Sequence, residues 1–131
     1  MKNRKVVYAI AVFIAACYSG PVSIPNDVSA AEITQMAQSA MDRDRYNQAI
    51  QYYEAIIERF PFDNDMFCGA EYGIALIHYK QRKYSAAKDE FKALLLKYDS
   101  PGGDILPKRY QILSNIVLAR ISEKQKLLAD N

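Results

Sequence analysis

The sequence contains few of the residues from which enzymes build metal sites and nucleophilic centres. Among its 131 residues there are one His, two Cys and no Trp, so a zinc site or a His-based catalytic centre is difficult to assemble. It also lacks a Gly-rich phosphate loop, a Ser-centred elbow and a CxxC motif. The formal net charge of +2 is too small to indicate nucleic-acid binding. We therefore expect a protein that is not an enzyme and that uses no metal, cofactor or nucleic acid.

Gly and Pro are also scarce, with five residues of each, which excludes collagen-like and Pro-rich proteins. The hydrophobic fraction of 50% and the charged fraction of 24% argue against a disordered chain. Domains of ordinary size run to about 100–150 residues, so the chain has no room for two of them. The composition predicts one small globular domain.

An apolar run of eleven residues, 6–16, follows the basic residues Lys2, Arg4 and Lys5. At about 1.5 Å per residue, a helix of that length is too short for a hydrocarbon core of about 30 Å. A positively charged start followed by a run of this length is typical of a signal peptide. An uncleaved anchor is the less favoured interpretation.

The run ends in Ile14, Ala15, Ala16 and Cys17, a pattern that resembles the bacterial lipobox. The resemblance implies that residues 1–16 are a lipoprotein signal peptide and that Cys17 becomes a lipid-carrying N-terminus, with palmitate among its acyl chains. Residues 17–28 contain Pro and Gly and are expected to form a tether. Cleavage after Ala30 by an ordinary signal peptidase is the alternative, although it leaves a long spacing after the apolar run.

Lipidation of Cys17 leaves Cys68 as the remaining thiol. In an oxidising envelope compartment we expect this residue to be a small buried hydrophobe rather than a nucleophile. Without lipidation, a disulfide between Cys17 and Cys68 is the alternative, and a single bridge does not make a disulfide scaffold.

Helical periodicity predicts an all-α domain over residues 29–131, with five helices and no strand. Ser29 and Glu32 have the spacing of a capping box at the start of the first helix. The next three helices are expected at residues 47–60, 66–82 and 85–98, and the last from about 107 to 128. The first helix is expected to bury Ile33, Met36, Ala37 and Ala40, and the last to bury Tyr110, Leu113, Val117, Ile121 and Leu128.

Two stretches of the chain are similar to each other at a spacing of 38 residues. The matched positions are Tyr46 with Tyr84, Ala49 with Ala87, Tyr53 with Phe91, and Ile56 with Leu94. Together with Pro61, which ends the first stretch, they resemble the tetratricopeptide repeat, a pair of antiparallel helices. The resemblance implies two repeats and a C-terminal capping helix, in which the Ala residues permit close helix approach and the aromatic rings fill the space beside them. A generic antiparallel helical bundle is the alternative.

A lipobox followed by repeats of lengthened period is similar to the BamD family of the outer-membrane β-barrel assembly machinery. Residues 70–80 resemble a repeat-opening helix of that family, and Phe60 with Pro61 closes the preceding unit in its manner. The resemblance covers residues 29–128 and suggests a shortened, spirochaete-like member. It implies a protein held by Cys17 at the inner leaflet of the outer membrane, facing the periplasm, with BamA and outer-membrane protein clients as partners.

In such arrays the opening helices line a concave groove for a partner. The face of the third helix made by Tyr72, Leu76, Tyr79 and Lys80 is expected to point into it. The corresponding positions are Gln38 and Met41 in the first helix and Gln111 and Asn115 in the last. A transport-associated or solute-binding repeat lipoprotein, whose pocket holds a small molecule, is the alternative function.

Lys80, Arg82 and Lys83 form a small basic patch at the end of the third predicted helix. The favoured interpretation is a solvated helix end, since basic residues there suit the helix dipole. Docking of an acidic partner or of anionic headgroups is the alternative.

Overall fold

The computed structural model describes residues 20–131, so Cys17 and the predicted signal peptide lie outside the described residues. Over this range the chain is all-α, as the periodicity predicts, and consists of antiparallel helix pairs. The five helices are α1 (Ala30–Asp42), α2 (Tyr46–Arg59), α3 (Asn64–Lys80), α4 (Tyr84–Tyr98) and α5 (Lys108–Ala129), with a short 3-10 helix at Gly103–Ile105.

The starts of α1 and α3 follow from their side-chain caps. Ser29 and Glu32 form the predicted capping box at α1, where the Ser29 backbone N–H donates to the Glu32 carboxylate at 2.9 Å. Helix α3 begins two residues earlier than predicted because the Asp63 side chain accepts from the Met66 backbone N–H at 3.1 Å. A side-chain cap of this kind satisfies one of the free N–H groups of the first turn.

The turns within the two helix pairs have the same unusual backbone conformation. Asp44 has a φ of 56° and Arg82 a φ of 61°, and the two residues are 38 positions apart. In each turn the following N–H reaches back to the preceding helix: Arg45 donates to Ala40 at 2.8 Å, and Lys83 donates to His78 at 2.9 Å. The 38-residue spacing in the sequence is therefore also a repeat in structure.

The repeat positions form the core of each pair. Ala49 and Ala87 are fully buried at the helix contacts, and Tyr53 and Phe91 fill the space beside them. Tyr46 and Tyr84 are half-buried and pack against the same two clusters. Pro61 is exposed in the turn that follows α2, where its ring cannot continue the helix.

Three of the predicted core positions were wrong. Met36 is 37% exposed, because it lies in an open surface depression between α1 and α2, beside Gln48 and Tyr52, rather than in the core. Leu113 and Leu128 are also exposed, since α5 packs on α3 and α4 through Val117 and Ile121 and no described helix covers its other side. Periodicity identified an apolar stripe on α5 that is wider than the face in contact with the repeats.

The segment before α1 is bound to the repeats from Val22 onward. Its backbone N–H at Val22 donates to the Gln51 side chain at 2.9 Å, and the Arg59 guanidinium donates to the carbonyls of Ile24 and Pro25 at 3.0 and 2.8 Å. Ile24 and Val28 pack against the first core cluster. This part of the predicted tether is thus attached along α2 and is not a free spacer.

Within residues 20–131, the combination of length and hydropathy needed to cross a bilayer occurs in none of the helices.

Candidate functional site

A groove of about 410 Å³ lies between α1, α3 and the start of α5. Its lining residues are Thr34, Gln38, Met41, Asp42, Tyr53, Asp65, Met66, Gly69, Tyr72, Gly73, Leu76, Arg109 and Tyr110. The opening helices of both repeats and α5 therefore contribute to one surface, with Tyr53 of α2 reaching it from behind.

Two glycines give the groove its depth. A Cβ atom at Gly73 would lie 2.6 Å from Cε2 and Cζ of the Tyr53 ring, and one at Gly69 would lie 2.6 Å from the Tyr110 hydroxyl. Real Cβ atoms do not approach other atoms so closely, so the rings come close to α3 only because both positions lack a side chain. Gly69 and Gly73 are one helical turn apart, which places both on the groove face of α3.

Tyrosine rings form the wall of the groove. Tyr72 contacts Phe91 with ring centroids 5.6 Å apart and Tyr110 with centroids 5.8 Å apart, both tilted. The Tyr53 hydroxyl donates to the Met41 sulfur at 3.6 Å, and burial raises the pKa of Tyr53 to about 12. Burial raises the pKa of Tyr72 as well. Both phenols are therefore neutral at physiological pH, and they present an apolar ring with a polar tip.

Charged residues lie at the two ends of the groove. Near the start of α3, Asp65 pairs with Arg109 of α5, and the Arg109 guanidinium lies 4.7 Å from the centroid of the Tyr110 ring. At the other end Asp42 closes α1. The groove thus has an apolar centre and charged ends, an arrangement that suits a peptide with an apolar middle.

The structure brings together one half of the predicted groove residues. Gln38, Met41, Tyr72 and Leu76 line the groove, with Tyr53 behind them. Their role in binding a partner stays a prediction.

The other half lies outside this groove. Tyr79 is half-buried, packs against the cluster that includes Phe91 of α4 and Val117 of α5, and contacts Tyr84 with ring centroids 5.9 Å apart. Lys80 is exposed at the end of α3. On α5, Asn115 is exposed and its side-chain amide donates to the Gln111 carbonyl at 3.0 Å. The residues of α5 that line the groove are Arg109 and Tyr110, which directly precede Gln111.

Sequence reasoning missed Gly69, Gly73, Asp65 and Arg109 as groove residues. A signal for the glycines was available: two Gly residues four apart within a helical pattern indicate a close approach of another group. No local signal marks Arg109, because its place beside Asp65 depends on how the loop before α5 directs that helix.

The isolated reactive side chains take part in packing. Cys68 is buried against Leu94 and Tyr98, and burial raises the pKa of its thiol, which disfavours the nucleophilic thiolate. His78 pairs with Glu90 at 2.7 Å and links α3 to α4. Over residues 20–131 the His, Cys, Asp and Glu side chains form no group of three or more that could hold a metal ion.

Residues 34–63 match the tetratricopeptide repeat family, and they extend from α1 to the cap of α3. An uncharacterized protein of Treponema pallidum (strain Nichols) is 30% identical over 121 residues, which cover 91% of this chain and 48% of that protein. The chain thus spans about half the length of the curated relative it matches. No solved structure matches the chain. The repeat indicates a module for protein–protein interaction.

Proposed function

We propose that this chain is a lipid-anchored adaptor of the cell envelope that holds a peptide segment of a partner protein in the groove. The observation that carries the proposal is the groove itself. Neutral tyrosine rings, Met41 and Leu76 line its centre, and the Asp65–Arg109 pair lies at one end. Helical or extended peptides bind to surfaces of this kind through apolar side chains in the middle and polar contacts at the rim.

The groove suits a peptide better than an enclosed small molecule. It is built from the faces of α1, α3 and α5, and Gln38 and Arg109 on its two sides are exposed to solvent. Small-molecule sites instead enclose most of the ligand surface. A peptide segment can enter such a site along its length while the rest of the partner remains outside.

We further propose that the assembly served by this adaptor is the outer-membrane β-barrel assembly machinery, with BamA or a client protein as the partner. The support is the combination of a lipobox at Cys17 with tetratricopeptide-like repeats of 38-residue spacing. The anchor would place the groove in the periplasm, beside the inner leaflet of the outer membrane.

Replacement of Cys17 by Ser should abolish labelling with radioactive palmitate and move the protein from the membrane fraction to the soluble fraction. The physical reason is that stable anchoring needs more than one acyl chain, each contributing about 0.8 kcal/mol per buried methylene. Cys68→Ala, which changes the chain's other thiol in the buried core, is the control and should keep the label. Retained label and membrane association in Cys17→Ser would overturn the anchor.

Replacement of Gln38 by Trp should reduce capture of the partner about tenfold or more in crosslinked pull-downs from native membranes, with partners identified by mass spectrometry. Gln38 is exposed in the groove, so the indole of the new Trp would occupy the peptide site. Surface substitutions change the free energy of unfolding by about 0.5 kcal/mol or less, so the domain should stay folded. Gln35→Trp places the same ring outside the groove, in the surface depression between α1 and α2, and should leave capture unchanged.

The same pull-down separates the candidate partners. Equal capture by Gln38→Trp and Gln35→Trp would exclude the groove as the peptide site. Capture that depends on Gln38 but brings down no β-barrel assembly subunit or outer-membrane client would retain the adaptor and reject this assembly.

A further inference from the structure

Basic residues collect at one edge of the helix stack. Because consecutive helices are antiparallel, the turns inside the two repeats and the end of α5 lie at the same edge, which we call the turn edge. Lys80, Arg82 and Lys83 lie in its second turn, all exposed. At the end of α5, Lys124 and Lys126 are exposed beside the exposed carboxylates of Glu123 and Asp130, so these four residues add no net charge. The first turn, residues 42–45, alternates Asp and Arg and adds no net charge.

Acidic residues collect at the opposite edge. Asp63 caps α3 and Asp65 lies in its first turn, while Asp99 and Asp104 lie in the loop between α4 and α5. Basic residues also lie at this edge, where Arg59 and Lys97 end α2 and α4, Lys108 begins α5 and Arg109 is paired with Asp65. The two edges therefore differ in charge, since this edge carries both signs whereas the second turn of the turn edge is basic, although the whole chain is nearly neutral.

Helix stability accounts for Lys80 and Lys126, which lie in the last turns of α3 and α5 where positive charge suits the helix dipole, but it does not account for the basic residues that begin the following helices. Arg45 and Lys83 are the N-cap residues of α2 and α4, neither helix has a side-chain cap, and neither has an acidic residue in its first turn. Positive charge at a helix N-terminus opposes the helix dipole. At the opposite edge Ser29 and Asp63 cap α1 and α3, whereas α5 starts after Pro107 without a side-chain cap.

The N-terminal segment leads toward the same edge. Traced back from α1, it contacts Arg59 near the end of α2 and then Gln51, eight residues earlier in that helix. Eight residues of helix correspond to about 12 Å, so the segment runs along α2 toward the turn edge. Cys17 precedes Val22 by five residues, which can span at most about 18 Å.

We propose that the turn edge binds the headgroups of anionic phospholipids and that the lipid on Cys17 holds this edge against the bilayer. This inference rests on the lipidation of Cys17 in the function proposed above. Acyl chains and a basic surface together give stable membrane attachment, and each basic residue near an anionic surface strengthens binding by about fivefold. The groove would then run away from the membrane, with its Asp65–Arg109 end farthest from the lipid.

The test compares the distances of the two edges from the bilayer. Ser85 and Ser100 lie at the two ends of α4 and are exposed, so Ser85→Cys and Ser100→Cys accept a fluorophore at matched positions while Cys68 stays buried. The lipidated protein, purified from membranes, is reconstituted in vesicles of phosphatidylcholine alone or of phosphatidylcholine and phosphatidylglycerol in equal parts. A quencher on the lipid headgroups then reports which edge is near the surface.

In the mixed vesicles we expect quenching at Ser85→Cys to be several-fold stronger than at Ser100→Cys, and we expect high salt to remove the difference. The double variant Arg82→Glu with Lys83→Glu should disfavour the orientation in which the turn edge lies on the bilayer by about 25-fold or more. The control variant Lys92→Glu with Lys108→Glu changes the net charge by the same amount, but its two sites lie at the middle of α4 and at the opposite edge. It should leave the difference in quenching between Ser85→Cys and Ser100→Cys unchanged.

Equal quenching at the two positions, or stronger quenching at Ser100→Cys, would overturn the proposal. So would a difference that does not depend on phosphatidylglycerol, because a protein or the anchor alone would then orient the domain. Flotation with phosphatidylcholine vesicles reports the acyl anchor separately. A protein that floats only with vesicles containing phosphatidylglycerol would support headgroup binding by the turn edge but not the acyl anchor. A protein that floats with neither kind of vesicle would overturn both the headgroup binding and the anchor.

Discussion

Replacing Phe91 by Ala should lower the free energy of unfolding by about 3–5 kcal/mol, which is the usual cost of removing a buried aromatic ring. Phe91 is fully buried and contacts Tyr72 of α3 with ring centroids 5.6 Å apart. It also packs in the cluster that includes Val117 and Ile121 of α5. The cavity left by its ring would therefore loosen both the second repeat and the helix that completes the groove.

Urea denaturation followed by far-ultraviolet circular dichroism measures this change. Leu96→Ala is the control, because Leu96 lies on the same helix but is 66% exposed, and it should cost about 0.5 kcal/mol or less. A loss below about 1 kcal/mol in Phe91→Ala would mean that the ring does not hold α3, α4 and α5 together. The same variant should also weaken partner capture, since Tyr72 loses the support that orients it in the groove wall.

The helices and the repeat core could be predicted from the sequence because the signals are local. The apolar spacing of three and four residues, the Ser29 and Asp63 caps and the Pro61 terminator each act within one or two turns. The pairing of Ala49 with Ala87 and of Tyr53 with Phe91 was visible as a repeat, and all four residues are buried. A sequence match at a fixed spacing also predicts tertiary contacts, because corresponding positions in successive repeats pack against corresponding residues.

The position of α5 could not be predicted in the same way. The loop before it contains Gly102 with a φ of 85°, and the Tyr98 hydroxyl donates to the Pro107 carbonyl at 2.7 Å. These contacts start α5 at Lys108 and bring Tyr110 into the groove, whereas the repeat spacing suggested Gln111 and Asn115. Tyr72, Leu76 and Tyr79 all pack against the cluster that α5 completes, but only Tyr72 and Leu76 also line the groove, although the three have the same periodicity.

Replacing Gly73 by Ala should lower the free energy of unfolding by about 1–3 kcal/mol, even though Ala is the better helix former. The new methyl group would lie 2.6 Å from Cε2 and Cζ of Tyr53, and that ring is nearly fully buried in the first core cluster. Neither α3 nor the ring can move without disturbing the contact between the two repeats. Thermal or urea unfolding measures the loss, and Tyr53→Leu in the same chain should relieve part of it, since the flat ring that meets the methyl group is gone.

Gly69→Ala is the matched control, one helical turn away on the same face of α3. Its methyl group would meet the hydroxyl of Tyr110 at 2.6 Å, which is the far end of a half-buried side chain on α5. Tyr110 can turn aside, so the helix propensity gained by Ala offsets the clash and stability should stay within about 1 kcal/mol of the original protein. Equal losses in the two variants would mean that the groove floor is uniformly rigid. A loss in Gly73→Ala alone would indicate that the contact between the repeats is fixed, while the side of the groove formed by α5 adjusts to what it binds.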